Sequence, residues 1–361
     1  MKVLIINQHK DDVLGGSEIQ CDLIAKYLTK FGHEVIYGAV KGKNDRYNTD
    51  YRVIKTSRSS SSIIELCKEV KPDIIYWRFN KHVFYKSAKA INQQKIPIVF
   101  GVSHINDVTR FAFKPKKSKN LIYQFLERSY QQLISAYNFK GYRYIQGLTS
   151  LNEDYMNKIK VENQLLLRNS MESQVVEFEW KRPYCVWIAN IKPAKNPEEF
   201  IHLASQYKNK QVDFLMVGKI QNSNYKYIEQ GKDLPSNFHY LGAKSPEEVN
   251  GILKNSLFMV HTCSPEGFGN NFIQAWKQAK PTISLYFDPN GFITSEGIGF
   301  YSKNREQMKV DADKLLKSQK LREDMGKRAY NFANDTFNPE INIKRLEQFL
   351  GGIIEKYKFN V

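Results

Sequence analysis

Short β-branched and aromatic runs alternate with segments of helical period from one end of the chain to the other. In the first half, residues 2–7, 34–40, 73–77, 96–101 and 144–150 read as strands. Between the first two, Ile19, Leu23, Ile24, Tyr27 and Leu28 recur at helical spacing over residues 16–31, and Gly32 supplies the stop. The pattern then restarts. Residues 185–191, 212–217, 238–241, 257–261 and 282–286 read as strands, and helices begin near Asn196, Ser245, Asn270, Asn304 and Leu321. A polar, irregular stretch separates the two series, and the serine run at 57–62 reads as a solvated loop.

Such alternation predicts an α/β protein built of parallel sheets covered by helices. Each series is long enough for its own Rossmann-like domain, and the expected organisation is an N-terminal domain over 1–170, a linker over 171–183 and a C-terminal domain over 184–361. The last helix is expected to pack back on the first domain. Two such domains facing each other across a cleft would present their strand-to-helix turns to it, so chemistry should be sought in those turns.

Composition narrows the class. With 361 residues, 42% hydrophobic and 25% charged, the chain buries a substantial core, which excludes a disordered or coiled-coil protein. Against 37 Asp and Glu stand 54 Lys and Arg, a net charge of +17. Residues 1–170 hold 28 of those basic residues and only 15 of the acidic ones, so an anionic partner belongs mainly to the first half. Cys21, Cys67, Cys185 and Cys263 form no close pair, which argues against a zinc site or a disulfide framework and for a reducing, cytoplasmic setting. No apolar run approaches the length of a membrane span.

Four turns carry candidate chemistry. The most informative runs from His261 through Thr262, Cys263, Ser264, Pro265, Glu266, Gly267, Phe268 and Gly269 into a helix at Asn270, with Asn271 and Gln274 on its first turns. Glycines admit a ligand close to the backbone, and a helix N-terminus suits a phosphate. A second turn, Asn190-Ile191-Lys192-Pro193-Ala194-Lys195-Asn196, sets two cations before a helix. A third holds Gly15 and Gly16 after the first strand, and a fourth ends a buried strand near His104.

Together these segments resemble the family 4 retaining glycosyltransferases, whose fold is the B-type glycosyltransferase fold; the matches span nearly the whole chain in the family's order. The resemblance implies that Glu266 contacts hydroxyls of the donor sugar and that the backbone of Gly267, Phe268, Gly269, Asn270 and Asn271 holds its diphosphate. Where the family places a second Glu for the ribose, this chain has Gln274, which hydrogen-bonds without charge. Lys195 matches the family's phosphate lysine. Asn190 stands at the usual Arg position, with Lys192 as its substitute. Gly15 and Gly16 match the glycine loop beside the donor phosphates, His104 the histidine near the transferred sugar, and Asn169 a turn leading to the linker. The implied catalytic set is His104, Lys192, Lys195 and Glu266. No metal and no cofactor is implied, only a nucleotide diphosphate sugar as donor, with a glycan or lipid-linked acceptor in envelope or surface polysaccharide synthesis.

Residues 110–144 contain eight basic residues and one acidic residue, Glu127, and run into an amphipathic helical pattern through Ile122, Phe125, Leu126, Tyr130, Leu133, Ile134 and Tyr137. This pattern suits an anionic membrane surface, giving a peripheral position at the inner face of the membrane; the alternative is that the stripe packs on its own domain. Nucleic acid is not an expected partner, because no recognition module accompanies the charge. Two other classes remain open: a nucleotide-sugar epimerase of the same fold, and a non-catalytic binding protein for anionic ligands.

Overall fold

The computed structural model describes residues 1–13, 15–113, 121–263 and 268–359. The chain forms two compact units, one of Met1–Ser170 with Pro339–Val361, the other of Met171–Asn338.

The first unit is built on seven parallel strands: β1 (Lys2–Asn7), β2 (Glu34–Val40), β3 (Arg52–Thr56), β4 (Ile74–Trp77), β5 (Ile98–Val102), β6 (Gly147–Ser150) and β7 (Asn163–Leu166). They lie in the order β3-β2-β1-β4-β5-β6-β7. The period-two alternation of β1 explains why both faces are covered. Val3 and Ile5 pack with Tyr37, Leu28 and Leu346, whereas Leu4 and Ile6 pack with Ile63, Phe84 and Ile91. Helices α1 (Gly16–Lys30), α2 (Ser60–Val70), α3 (Phe84–Gln93), α4 (Ile105–Val108), α5 (Leu121–Phe139) and α6 (Glu153–Met156) join the strands.

The serine run corrects one expectation. Residues 60–62 form the first turn of α2, because the Ser59 hydroxyl accepts the Ser62 N–H at 3.2 Å and so caps the helix. The expected strand over 144–150 begins only at Gly147, since Lys140–Tyr144 form a 3₁₀ turn whose Tyr142 hydroxyl donates to the Asp107 carbonyl at 2.7 Å.

The second unit repeats the plan with β8 (Tyr184–Ile188), β9 (Asp213–Val217), β10 (Phe238–Tyr240), β11 (Met259–His261), β12 (Thr282–Ser284) and β13 (Gly299–Tyr301), all parallel and ordered β10-β9-β8-β11-β12-β13. Helices α7 (Pro197–Ser205), α8 (Lys226–Glu229), α9 (Pro246–Asn255), α10 (Asn270–Lys277), α11 (Phe292–Ser295), α12 (Arg305–Lys317) and α13 (Gln319–Thr336) accompany them. Trp187, Phe214 and Met216 fill one face of the sheet; Val186, Leu215, Phe272 and Trp276 fill the other. The irregular residues 171–183 are fastened to this unit. Val176 N–H donates to the Glu247 carbonyl at 3.0 Å, Asn250 donates to the Gln174 carbonyl at 2.7 Å, and the Trp180 indole donates to Asp213 at 2.9 Å.

The last helix, α14 (Pro339–Phe359), belongs to the first unit. Ile343, Leu346, Leu350 and Ile353 enter the core beside α1, and Glu347 meets the His33 imidazole at 2.7 Å.

Candidate functional site

Both sheets place their first strand beside their fourth, so the chain leaves neighbouring strands in opposite directions along the sheet. In open parallel sheets that reversal point, at the carboxyl ends of the strands, is where ligands bind. In the second unit it falls between β8 and β11, whose register pairs Val186 with Met259. The turn after β8 carries Asn190, Lys192 and Lys195. The turn after β11 leads through Cys263 to Gly269 and α10.

The two turns are laced together. The buried Thr262 hydroxyl lies 2.8 Å from the Lys195 carbonyl and 2.9 Å from that of Asn196, and accepts the Trp187 indole N–H at 2.8 Å. Asn196, in the left-handed region at φ 45°, returns the contact by donating to the Thr262 carbonyl at 3.0 Å. At the start of α10 the Asn271 amide donates to the Ile188 carbonyl at 2.8 Å, tying the helix N-terminus to the end of β8. Behind the β8 turn, Gly218 is indispensable: a Cβ there would lie 1.8 Å from the Ala189 carbonyl oxygen.

The electrostatics follow from this packing. Partial burial lowers the Lys195 pKa; the Cys263 thiol, hydrogen-bonded to its ammonium, opposes that fall, and the nearby Lys192 adds to it. Burial pushes the Cys263 thiol up to about 11, against the pull of Lys195. Buried His261, at the end of β11, is pushed down to about 3 by desolvation and by Lys195, so it is neutral at physiological pH. Its Nδ1 faces the Ser284 hydroxyl at 3.2 Å. The result is a cationic floor, with no carboxylate among the described residues that brace it.

The second unit therefore gathers Asn190, Lys192, Lys195, Gly269, Asn270, Asn271 and Gln274 around one strand reversal. Asn190 is exposed and Lys192 partly so. Gly269 has φ 81°, a conformation that favours glycine, and stands at the head of α10 without a side-chain capping bond. Phe268 turns its ring into the core, its centroid 5.3 Å from that of Phe337. Gln274 faces α9, where its amide reaches Asn250 Oδ1 at 3.3 Å. Glu266 and Gly267 lie outside the described residues. Thr262, Cys263 and Asn196 read in the sequence only as members of two turns; the adjacency of β8, β9 and β11 shows how they and Gly218 brace one another.

The first unit holds the remaining candidates. Gly15 is the extended N-cap of α1 and Gly16 its first residue; a Cβ on Gly15 would meet the Glu18 carboxylate at 2.3 Å. The preceding loop is braced at Asp12, whose carboxylate accepts the Lys43 and Asn44 N–H groups at 2.8 and 3.1 Å and the Tyr47 hydroxyl at 2.9 Å. Arg78, 5% exposed at the end of β4, reaches Asn169 at 3.4 Å. His104, exposed, caps α4: its Nδ1 accepts the Asn106 N–H at 3.0 Å, which leaves Nε2 as the ring's donor.

Helix α5 keeps much of its apolar stripe in solvent. Ile122 is 72% exposed and Phe125 and Leu133 each 68%, while Ile134 is partly covered. Residues 114–120 of the basic segment lie outside the described residues. Among the described residues, no helix is long and apolar enough to cross a membrane, and no group of three or more His, Cys, Asp or Glu is placed to hold a metal ion.

Comparison with known proteins agrees with this geometry. Residues 170–332 match the family model of glycosyl transferases group 1. No curated protein matches the chain. Among solved structures, the chain is similar to HepE of Anabaena in complex with UDP-glucose, with TM-score 0.75 at 13% identity, over 98% of this chain and 100% of that one. It is similar to sucrose-phosphate synthase from Thermosynechococcus elongatus, with TM-score 0.76 at 13% identity, over 99% and 100%. It also resembles a putative UDP-N-acetylglucosamine 2-epimerase from Listeria monocytogenes, with TM-score 0.63 at 10% identity, over 98% and 97%. The fold is that of the B-type glycosyltransferases.

Proposed function

We propose that this chain, whose residues 170–332 match the family model of glycosyl transferases group 1, moves a sugar from a nucleotide diphosphate sugar to an acceptor hydroxyl with retention of anomeric configuration. The observation that supports this most directly is the lacing of the Lys195 turn to the strand that leads into α10. Departure of a nucleotide diphosphate concentrates negative charge on the leaving oxygens. Cations and helix N–H groups fixed in advance stabilise that charge more in the transition state than in the ground state. Lys195 and Lys192 would supply the cations, and the head of α10 the dipole. In this reading the lysines and the helix N-terminus take the place of a metal ion.

Glu266 would take the donor sugar's hydroxyls and Gln274 the ribose. His104, with its proton on Nε2, would donate to the sugar in transfer. Attack comes from the face the diphosphate leaves, with a donor phosphate oxygen accepting the acceptor's proton, so no carboxylate nucleophile is needed. UDP-sugars are the first donors to test, since HepE, of the same fold, is seen with UDP-glucose. The exposed face of α5 and the basic first unit support an acceptor presented at an anionic membrane, as in envelope polysaccharide synthesis.

The test is a panel of nucleotide sugars scored by thermal stabilisation, followed by transfer assays in which the product anomer is read by NMR. Stabilisation by one donor and a product of retained configuration are expected. Stabilisation by none would overturn the reading. Conversion of the nucleotide sugar to its epimer without acceptor would replace it with the epimerase. Sedimentation with anionic vesicles at low salt is expected, and its absence removes the membrane part alone.

A further inference from the structure

A cavity of about 490 Å³ opens on the flank of the first unit beside the last turn of α5, within the ordinary size range of ligand sites. Five basic side chains line it: Arg110, Lys140, Arg143, Lys158 and Lys160. Among the described residues of its wall there is no acid. Lys140 and Arg143 belong to the 3₁₀ turn that leads to β6, and Lys158 and Lys160 to the segment between α6 and β7. These four stand on the approach to the amino ends of β6 and β7, away from the carboxyl-end turns that hold the transferase candidates. Arg110 is fixed to α5 through its carbonyl, which accepts the Ser135 hydroxyl at 2.8 Å.

Folding thus brings together cations that the chain keeps apart, and like charges around one cavity repel. Lysines elsewhere are neutralised: Lys2 meets Glu34 at 3.1 Å, Lys254 meets Glu177 at 2.7 Å and Lys309 meets Asp313 at 3.0 Å. Among the described residues, none of the five forms an ion pair. Acids nearby in sequence are turned to other partners. Glu162 faces Lys356 at 3.9 Å, Glu127 accepts from Gln131 at 2.7 Å, and Asp107 Oδ2 accepts the Ser103 and His104 N–H groups at 3.0 and 2.9 Å. The carboxyl end of α5 offers only about half a negative charge against the five positive ones.

The floor adds no charge of its own. Ile159 and Tyr142 are buried there, and the Tyr142 hydroxyl is already given to the Asp107 carbonyl at 2.7 Å. Recognition therefore falls to the rim. One phosphate ester brings about 1.5 to 2 negative charges, which leaves most of the rim unmatched, and a second phosphate doubles that.

We propose that this cavity binds a ligand bearing two or more phosphate groups, free in solution or carried on a lipid headgroup. The site is separate from the candidate transferase turns, and the assignment does not depend on the transferase reading.

The experiment is lysine acetylation of the full chain at low extent, read residue by residue by mass spectrometry. The probes are inorganic pyrophosphate, inorganic phosphate, sulfate at matched ionic strength, and vesicles of diphosphatidylglycerol or of phosphatidylcholine. Pyrophosphate should slow acetylation of Lys140, Lys158 and Lys160 at lower concentration than phosphate does, and leave the exposed Lys68 and Lys232 unchanged. Protection by pyrophosphate alone assigns a free ligand. Protection by diphosphatidylglycerol vesicles that pyrophosphate reverses assigns a headgroup, and either result supports the site. Arg143→Ala should raise the concentration for half-protection about threefold, the loss of one exposed ion pair. Lys158→Glu with Lys160→Glu should abolish protection of Lys140, and thermal melting reports that these variants fold. Lys192 and Lys195 are scored separately, because pyrophosphate there reports on the donor turn. Equal protection by sulfate, or vesicle protection that pyrophosphate does not reverse, would replace the site with a diffuse cationic surface. No protection by any probe would overturn the proposal outright.

Discussion

The Thr262 hydroxyl lies 2.8 Å from the Lys195 carbonyl oxygen, so a side chain at the end of one strand sets the backbone that carries an ammonium group from its neighbour. Thr262 also receives the Trp187 indole, which anchors the hydroxyl to the core. Lys195 is thereby held from both ends, its carbonyl by Thr262 and its amine by the Cys263 thiol.

Lys195→Ala removes the charge and keeps the turn. Turnover should fall on the order of a hundredfold, the loss seen when one preorganised oxyanion donor is removed. Steady-state kinetics on the best donor checks this, and wild-type turnover in the variant would contradict the assignment.

Thr262→Val keeps the shape and deletes the hydroxyl. The Trp187 indole N–H then loses a buried partner, at a cost of about 1–3 kcal/mol in a urea titration. Because Lys195 is freed at its carbonyl, kcat should fall more than donor affinity. A variant that loses stability with unchanged kcat would show that the tie does not reach the lysine.

Gly218→Ala drives a methyl group into the Ala189 carbonyl oxygen, 1.8 Å away, and Gly218 has φ 149°. Backbone cannot yield as a side chain can, so the second unit should lose more than about 2 kcal/mol and the Asn190–Lys192 turn should shift. Circular dichroism melting and the donor KM report the two effects.

The pH prediction concerns His261. Its folded pKa, about 3, lies below the ordinary 6.5, so the stability tied to its neutral form is complete above 6.5 and is lost as pH falls toward 3. Stability measured between pH 6.5 and about 5 should slope less steeply in His261→Phe than in the parent. Some slope should remain, because burial lowers the pKa of His9 as well.

Much of this was legible in the sequence wherever one element carried the whole signal. β1 and β2 have the predicted bounds because their apolar runs are buried almost end to end. β3 escaped notice because it is an edge strand with Arg52 and Lys55 in solvent, and β13 because it is a three-residue edge. The serines of α2 look like loop until Ser59 is seen capping Ser62. Lys192, Lys195 and the head of α10 were legible as motif. The Thr262 tie was not, since it depends on β8 and β11, far apart in sequence, lying side by side. Nor could a hydrophobic pattern tell that the stripe on α5 stays uncovered, because packed and bare helices share the same period.

Helix α14 has a consequence for synthesis. The second unit, Met171–Asn338, is one uninterrupted length of chain and can close its core once that length has left the ribosome. The first unit cannot, because Leu346 and Leu350, both fully buried against it, are made after the second unit is complete. The earlier-made unit is thus the later to finish, and until α14 arrives the face around Val3, Ile5 and Leu28 is the nascent protein's exposure to chaperones and to aggregation.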